Sequence, residues 1–253
     1  MKSLVLLLTF ASLALAKPGE RIVGGQVARG GQFPYAAAVY VSKVGGAYFC
    51  GGALINNQWI VTAAQCAEGA NTFTIQLGSN LLSGTDANRL TLATATFVLH
   101  PEYDPETLHN DVALVKLRLP IAFNQYVGAA SLPTSFIPDY TSVTAVGWGQ
   151  IDDFNTGLSN DLTWVTLITI SHDECQLTYG PQITHDMLCV AGNFNEGICN
   201  GDMGGPLVQT VSGSAVLVGI ASFRSQSGCE TTDPSGYTRI IPYVEWINSV
   251  VAA

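Results

Sequence analysis

Basic residues are scarce in this chain. Ten Lys and Arg stand against 19 Asp and Glu, a formal charge of -9 at pH 7 over 253 residues. A surface of that sign repels phosphate backbones and anionic lipid, so neither nucleic acid nor a membrane is expected as a partner. Apolar runs of the roughly 20 residues that span a bilayer are also missing. The longest apolar stretch, Leu4 to Leu15, follows Met1-Lys2 and ends at the small-residue boundary Ala14-Leu15-Ala16. It reads as a secretory signal peptide, residues 1–16, and the chain as secreted and extracellular, with the gut lumen one setting. There is no Cys-x-x-Cys pair and no clustering of the 4 histidines, so neither a metal nor another cofactor is expected. Asn-x-Ser/Thr acceptors, internal repeats and low-complexity segments are likewise lacking.

Six cysteines are present, and an even number in a secreted chain predicts three disulfides, with the pairing left open by the count. Short apolar or alternating runs punctuated by Gly, Asn, Asp or Pro follow from Tyr35: Tyr35–Val41, Tyr48–Ile55, Trp59–Ala63, Phe73–Leu77, Leu90–Leu99 and Val112–Leu117. A second set comprises Val143–Trp148, Leu162–Ile170, Met187–Ala191, Pro206–Val211, Ala215–Phe223 and Gly236–Arg239. Many short strands at this spacing predict an all-β chain, and two sets joined near residues 125–140 predict two packed barrels with a cleft between them. Tyr243–Val251 is apolar at helical spacing and predicts a C-terminal helix.

Chemistry concentrates in Gly197-Ile198-Cys199-Asn200-Gly201-Asp202-Met203-Gly204-Gly205-Pro206, where glycines, a cysteine and a lone carboxylate fall between two apolar runs. Glycines there free the backbone to aim several N–H groups at one point. This stretch resembles the nucleophile loop of the chymotrypsin-like serine proteases, with Met203 in the serine's place. Trp59-Ile60-Val61-Thr62-Ala63-Ala64-Gln65-Cys66 resembles the histidine loop of the same family, with Gln65 in the histidine's place, and Asn110-Asp111-Val112-Ala113-Leu114 matches its aspartate motif intact. Gly147-Trp148-Gly149 and the start Ile22-Val23-Gly24-Gly25 extend the resemblance over most of the chain.

The resemblance implies two six-stranded antiparallel β-barrels with a C-terminal helix. It places an activation propeptide at residues 17–21, barrel 1 at about 22–128, barrel 2 at about 129–238 and the helix at about 239–253 of a serine-protease-like domain, 22–253. It implies disulfides Cys50–Cys66, Cys175–Cys189 and Cys199–Cys229. It further implies cleavage by a trypsin-like protease after Arg21, whereupon the new Ile22 ammonium turns inward to Asp202, whose buried charge needs a cation. The oxyanion-hole positions fall on Gly201 and Met203. The primary specificity pocket falls on Gly197 at its floor, Ser222, Phe223 and Arg224 along one flank, and Ser235 on the far wall. The uncharged floor suits apolar or aromatic side chains, while Arg224 stands where the family carries glycine.

A triad needs a hydroxyl to attack, an imidazole to accept its proton and a carboxylate to orient the imidazole. Here Asp111 alone remains: Met203 has no proton to lose, and the Gln65 amide accepts none near neutral pH. His100, His109, His172 and His185 have no hydroxyl motif beside them to rebuild one. The expectation is therefore a pseudoprotease, no enzyme, which binds peptides, protease inhibitors or an active protease. The alternatives are an active chymotrypsin-like endopeptidase and an extracellular carbohydrate- or matrix-binding protein on the same fold.

Overall fold

The computed structural model describes residues 25–192 and 196–253. Residues 1–16 and 17–21, together with Ile22, lie outside the described residues. The first half supplies β1 (Gln26–Val27), β2 (Ala36–Lys43), β3 (Gly46–Leu54), β4 (Trp59–Thr62), the one-turn helix α1 (Ala64–Ala67), β5 (Ala70–Leu77), β6 (Leu90–Thr94), β7 (Thr96–Leu99) and β8 (Ala113–Lys116). The second half supplies β9 (Ser142–Gly147), β10 (Thr163–Ile168), the helix α2 (His172–Tyr179), β11 (Met187–Val190), β12 (Pro206–Val211), β13 (Ser214–Phe223), β14 (Ser235–Arg239) and the helix α3 (Val244–Val251).

Alternation sets which side of each strand faces inward. In β5, Phe73, Ile75 and Leu77 are buried while Thr74 and Gln76 between them are partly exposed. The first sheet has the order β6-β5-β2-β3-β4-β8-β7. Its two edge strands are joined by the single residue Ala95, so the sheet must curl until the edges meet. The Thr94 hydroxyl closes the seam by donating to the Lys116 carbonyl at 2.6 Å. The second sheet has the order β1-β10-β9-β12-β13-β14-β11 and closes where the Ile170 N–H reaches the Cys189 carbonyl and Ala191 N–H reaches that of Ile168.

The architecture is the chymotrypsin-like one, mostly β with two curled sheets and a short C-terminal helix. Each sheet has seven strands where six runs are legible. The Leu90–Leu99 run breaks into β6 and β7 at the seam, and β1 leaves the first half to pair with β10.

Two main cores result. Tyr35, Leu54, Ile60, Phe73, Ile75 and Leu114 fill the first barrel, and Val143, Leu167, Leu188, Leu207 and Tyr237 fill the second. The helix α3 belongs to the second half of the sequence yet packs Ile247 into the first barrel's core. The structure pairs Cys50 with Cys66, Cys175 with Cys189 and Cys199 with Cys229, leaving no free cysteine among the described residues.

Candidate functional site

Three segments meet between the barrels. β4 runs into α1, whose second residue is Gln65 and whose Cys66 is stapled back to β3 through Cys50. The aspartate motif enters β8 through Asn110, which holds a positive φ of 55°, and Asp111 follows fully buried. The third segment, Cys199 to Gly205, turns before β12. Gly204 there has φ 81°, and a Cβ on it would stand 2.3 Å from the Thr62 hydroxyl, so only glycine lets the loop lie against β4. The Gly51 N–H donates to the Met203 carbonyl at 2.8 Å, tying that loop to the first barrel as well.

Asp111 is surrounded by donors. The Gln65 backbone N–H reaches Oδ1 at 2.9 Å, the Gln65 side-chain amide reaches Oδ2 at 2.5 Å, and the Ser222 hydroxyl reaches Oδ2 at 2.6 Å. Burial pushes the Asp111 carboxyl above its ordinary range, and the hydrogen bonds from Ser222 and Gln65 oppose that rise. The second hydrogen of the Gln65 amide goes to the Ser222 carbonyl at 2.8 Å. Both amide donors are thus spent, and what remains free on that side chain is its oxygen, an acceptor and not a base. Met203 is partly buried and packs its side chain against apolar residues of both cores.

Asp202 lies beside Met203, 2% exposed. Its carboxylate accepts from the Gly149 N–H at 2.8 Å and from the Cys199 N–H at 2.9 Å. Burial nevertheless raises its pKa to about 6. Arg21 and Ile22 fall outside the described residues, so the activation contact has no geometry to report. Among the described residues, no hydrogen-bond partner takes the backbone N–H of Gly201 or of Met203.

Ser222, Phe223 and Arg224 run along one bank, where β13 ends. The Phe223 ring lies against Gly236, where a Cβ would stand 1.9 Å from it, and meets Tyr179 edge-on with centroids 5.2 Å apart. Gly197 and Ser235 line one small cavity with Arg224, and it retains about 10 Å³. That is narrower than an uncharged floor implies. Arg224 is one of the residues lining that cavity, and its guanidinium donates to the Ser225 carbonyl at 2.6 Å and to Asn200 Oδ1 at 2.8 Å. Asn200 sits inside the glycine-rich stretch, where an asparagine beside glycine reads as a turn residue and gives no sign of this bond. The histidines stay apart from the triad positions; His109 contacts the Gln182 carbonyl, and His172 stacks on His185.

A family model described as Trypsin matches residues 22–247. The chain belongs to the trypsin family. Brachyurin of Leptuca pugilator is 33% identical over 90% of this chain and 97% of its own, and serine protease 1 of Homo sapiens is 34% identical over 98% of each. A solved structure titled HL collagenase superposes with a TM-score of 0.82 at 30% identity, covering 92% of this trypsin-family chain and 99% of that one.

These relatives overturn the reading of the chain as no enzyme. They are named as proteases and match at 33–34% identity over nearly the whole length, which places this trypsin-family chain in a family of enzymes. Identity summed over a chain does not speak for two single positions, and Gln65 and Met203 stand there as residues of the sequence. Among the described residues, no helix is long and apolar enough to cross a membrane.

Proposed function

We propose that this trypsin-family chain is secreted and works by holding extended peptide segments, including the loops of protease inhibitors or of a protease partner, in the cleft between its barrels. The observation that carries the reading is the Gln65 amide, which spends both donors on Asp111 and the Ser222 carbonyl. This preserves the wall of the cleft and satisfies the buried carboxylate without offering a proton acceptor. In a serine-protease triad, loss of either the serine or the histidine lowers turnover by about a millionfold. Binding by pairing with a strand end and filling side-chain pockets needs neither group. Cleavage behind Arg21 by a trypsin-like protease belongs to the same proposal, since Asp202 is a buried carboxyl that a new ammonium at Ile22 would compensate.

The test is a panel of peptide substrates with apolar, acidic and basic residues before the scissile bond, given to Arg21-cleaved protein and to a Gln65→His, Met203→Ser double variant. Hydrolysis by the double variant alone, with saturable inhibitor capture by both, is the expected result. Turnover by the natural protein would move the reading to the endopeptidase that the names of its relatives describe.

A further inference from the structure

Met203 cannot act as a serine does, but its thioether has a chemistry of its own. A thioether sulfur carries lone pairs that attack peroxides, and the product is a sulfoxide. Which sulfur of this chain reacts first depends on what competes and on exposure. Every cysteine is locked in a disulfide, so among the described residues no thiol takes the oxidant first. Removal of residues 1–21 takes Met1 with it and leaves Met187 and Met203 as the methionines. Met187 is buried, 6% exposed, whereas Met203 is only partly buried.

The surroundings of Met203 decide what a sulfoxide does there. The backbone is fixed on both sides: the Met203 carbonyl accepts from the Gly51 N–H at 2.8 Å, and the Gly204 N–H donates to the Ala221 carbonyl at 2.8 Å. The side chain lies against apolar residues of both cores, a setting that suits a thioether. A thioether is also a weak acceptor, so it leaves neighbouring donors open. Two such donors are present, since neither the Met203 N–H nor the Gly201 N–H has a partner among the described residues. A sulfoxide oxygen is a strong acceptor, and the chain of bonds in one methionine lets it fold back onto that residue's own N–H.

We propose that Met203 is an oxidation site, converted by hydrogen peroxide to the sulfoxide, whose oxygen takes the Met203 N–H and closes the cleft to the carbonyl of a bound peptide. In the reaction the sulfur lone pair attacks one peroxide oxygen, and a sulfur–oxygen bond forms as the oxygen–oxygen bond breaks. The hydrogen of the transferred oxygen passes to the departing hydroxide, which leaves as water; sulfur is oxidised and peroxide reduced. A methionine sulfoxide reductase reverses the change. The oxidation and the new hydrogen bond stand apart from any ligand, while the effect on binding rests on the cleft-binding reading proposed above.

The test treats Arg21-cleaved protein with graded hydrogen peroxide. Peptide mass mapping follows each methionine, hydrogen exchange follows the Met203 amide, and calorimetry follows a small protein inhibitor of proteases. Met203 is expected to gain one oxygen at least about tenfold faster than Met187. In the sulfoxide form the Met203 amide should exchange about tenfold more slowly, and the inhibitor should bind about tenfold more weakly until the reductase restores it. In Met203→Leu protein the same peroxide dose should change the inhibitor Kd less than about twofold.

Met187 reacting first, or unchanged exchange of the Met203 amide in the sulfoxide, would overturn the proposal. So would equal weakening by peroxide in Met203→Leu protein. If the leucine variant itself binds no inhibitor, the reductase arm decides, and capture that stays lost after the sulfoxide is reduced counts against it. Failure of untreated protein to bind the inhibitor saturably would overturn the cleft-binding reading and the ligand effect, leaving mass mapping and amide exchange to judge the site.

Discussion

Asp202 is a buried acid whose pKa is raised to about 6, against an ordinary value near 4. Between those two values the folded chain holds a proton that the unfolded chain has released, so stability falls as pH rises through this window and is flat on either side. Asp202→Asn removes the effect. The difference in urea midpoint between natural and variant protein, measured before cleavage at Arg21, should favour the natural protein more at pH 4.5 than at pH 7. If an Ile22 ammonium docks after cleavage, the carboxylate becomes the favoured form and the sign reverses. Gln65 offers a second test. Gln65→Ala strips one donor from the Asp111 carboxylate and one from the Ser222 carbonyl, and should cost about 1–3 kcal/mol in urea unfolding. Gln65→His keeps a donor toward Asp111 and should cost less. Both substituted triad positions are plain in the sequence because the motifs around them are intact. The spending of both Gln65 donors was not, since it depends on where the Ser222 carbonyl falls, 157 residues away.

The helix α2 shows how an element escapes notice. Ser171 and Glu174 form a capping box, in which the Ser171 hydroxyl accepts from the Glu174 N–H and the Glu174 carboxylate from the Ser171 N–H. The signature is there to be read, yet Cys175 is the one buried residue of the helix, so no apolar stripe announces it. Ser171→Ala should cost about 1 kcal/mol, visible as a lower denaturant midpoint. The strands were legible because runs such as Phe73, Ile75 and Leu77 alternate cleanly. The break of Leu90–Leu99 into β6 and β7 was not, because it reflects closure of a barrel and no breaker residue marks it. β3 carries a sharper prediction. A Cβ on Gly51 would stand 2.6 Å from Gly205 Cα, backbone against backbone. Gly51→Ala should therefore destabilise the chain by roughly 1–3 kcal/mol. It should also weaken inhibitor capture, since the displaced loop carries Met203.

At the scale of the whole molecule the two barrels share material. Met203 touches both cores, Val208, Leu217 and Ile220 of the second half lie in the first core, and α3 seats Ile247 there fully buried. Tyr243 adds a hydrogen bond to Asn110 at 3.0 Å, and Trp246 packs against His100 at 4.9 Å. Ile247→Ala should cost about 2–5 kcal/mol. Calorimetry should still give one transition, moved to lower temperature, because Met203, Val208, Leu217 and Ile220 tie the first barrel's core to the second half of the chain. Sequence periodicity finds α3 and its apolar stripe but not the barrel it serves, which only the path of the chain decides. That path also has a temporal meaning. The core built from Tyr35 through Ala130 is covered only in part by Val208, Leu217 and Ile220 and is completed when residues 244–251 arrive, more than a hundred positions after Ala130. Contacts so distant along the chain slow folding, and on a ribosome the first half must wait, its apolar face unclosed, for the last helix to be made.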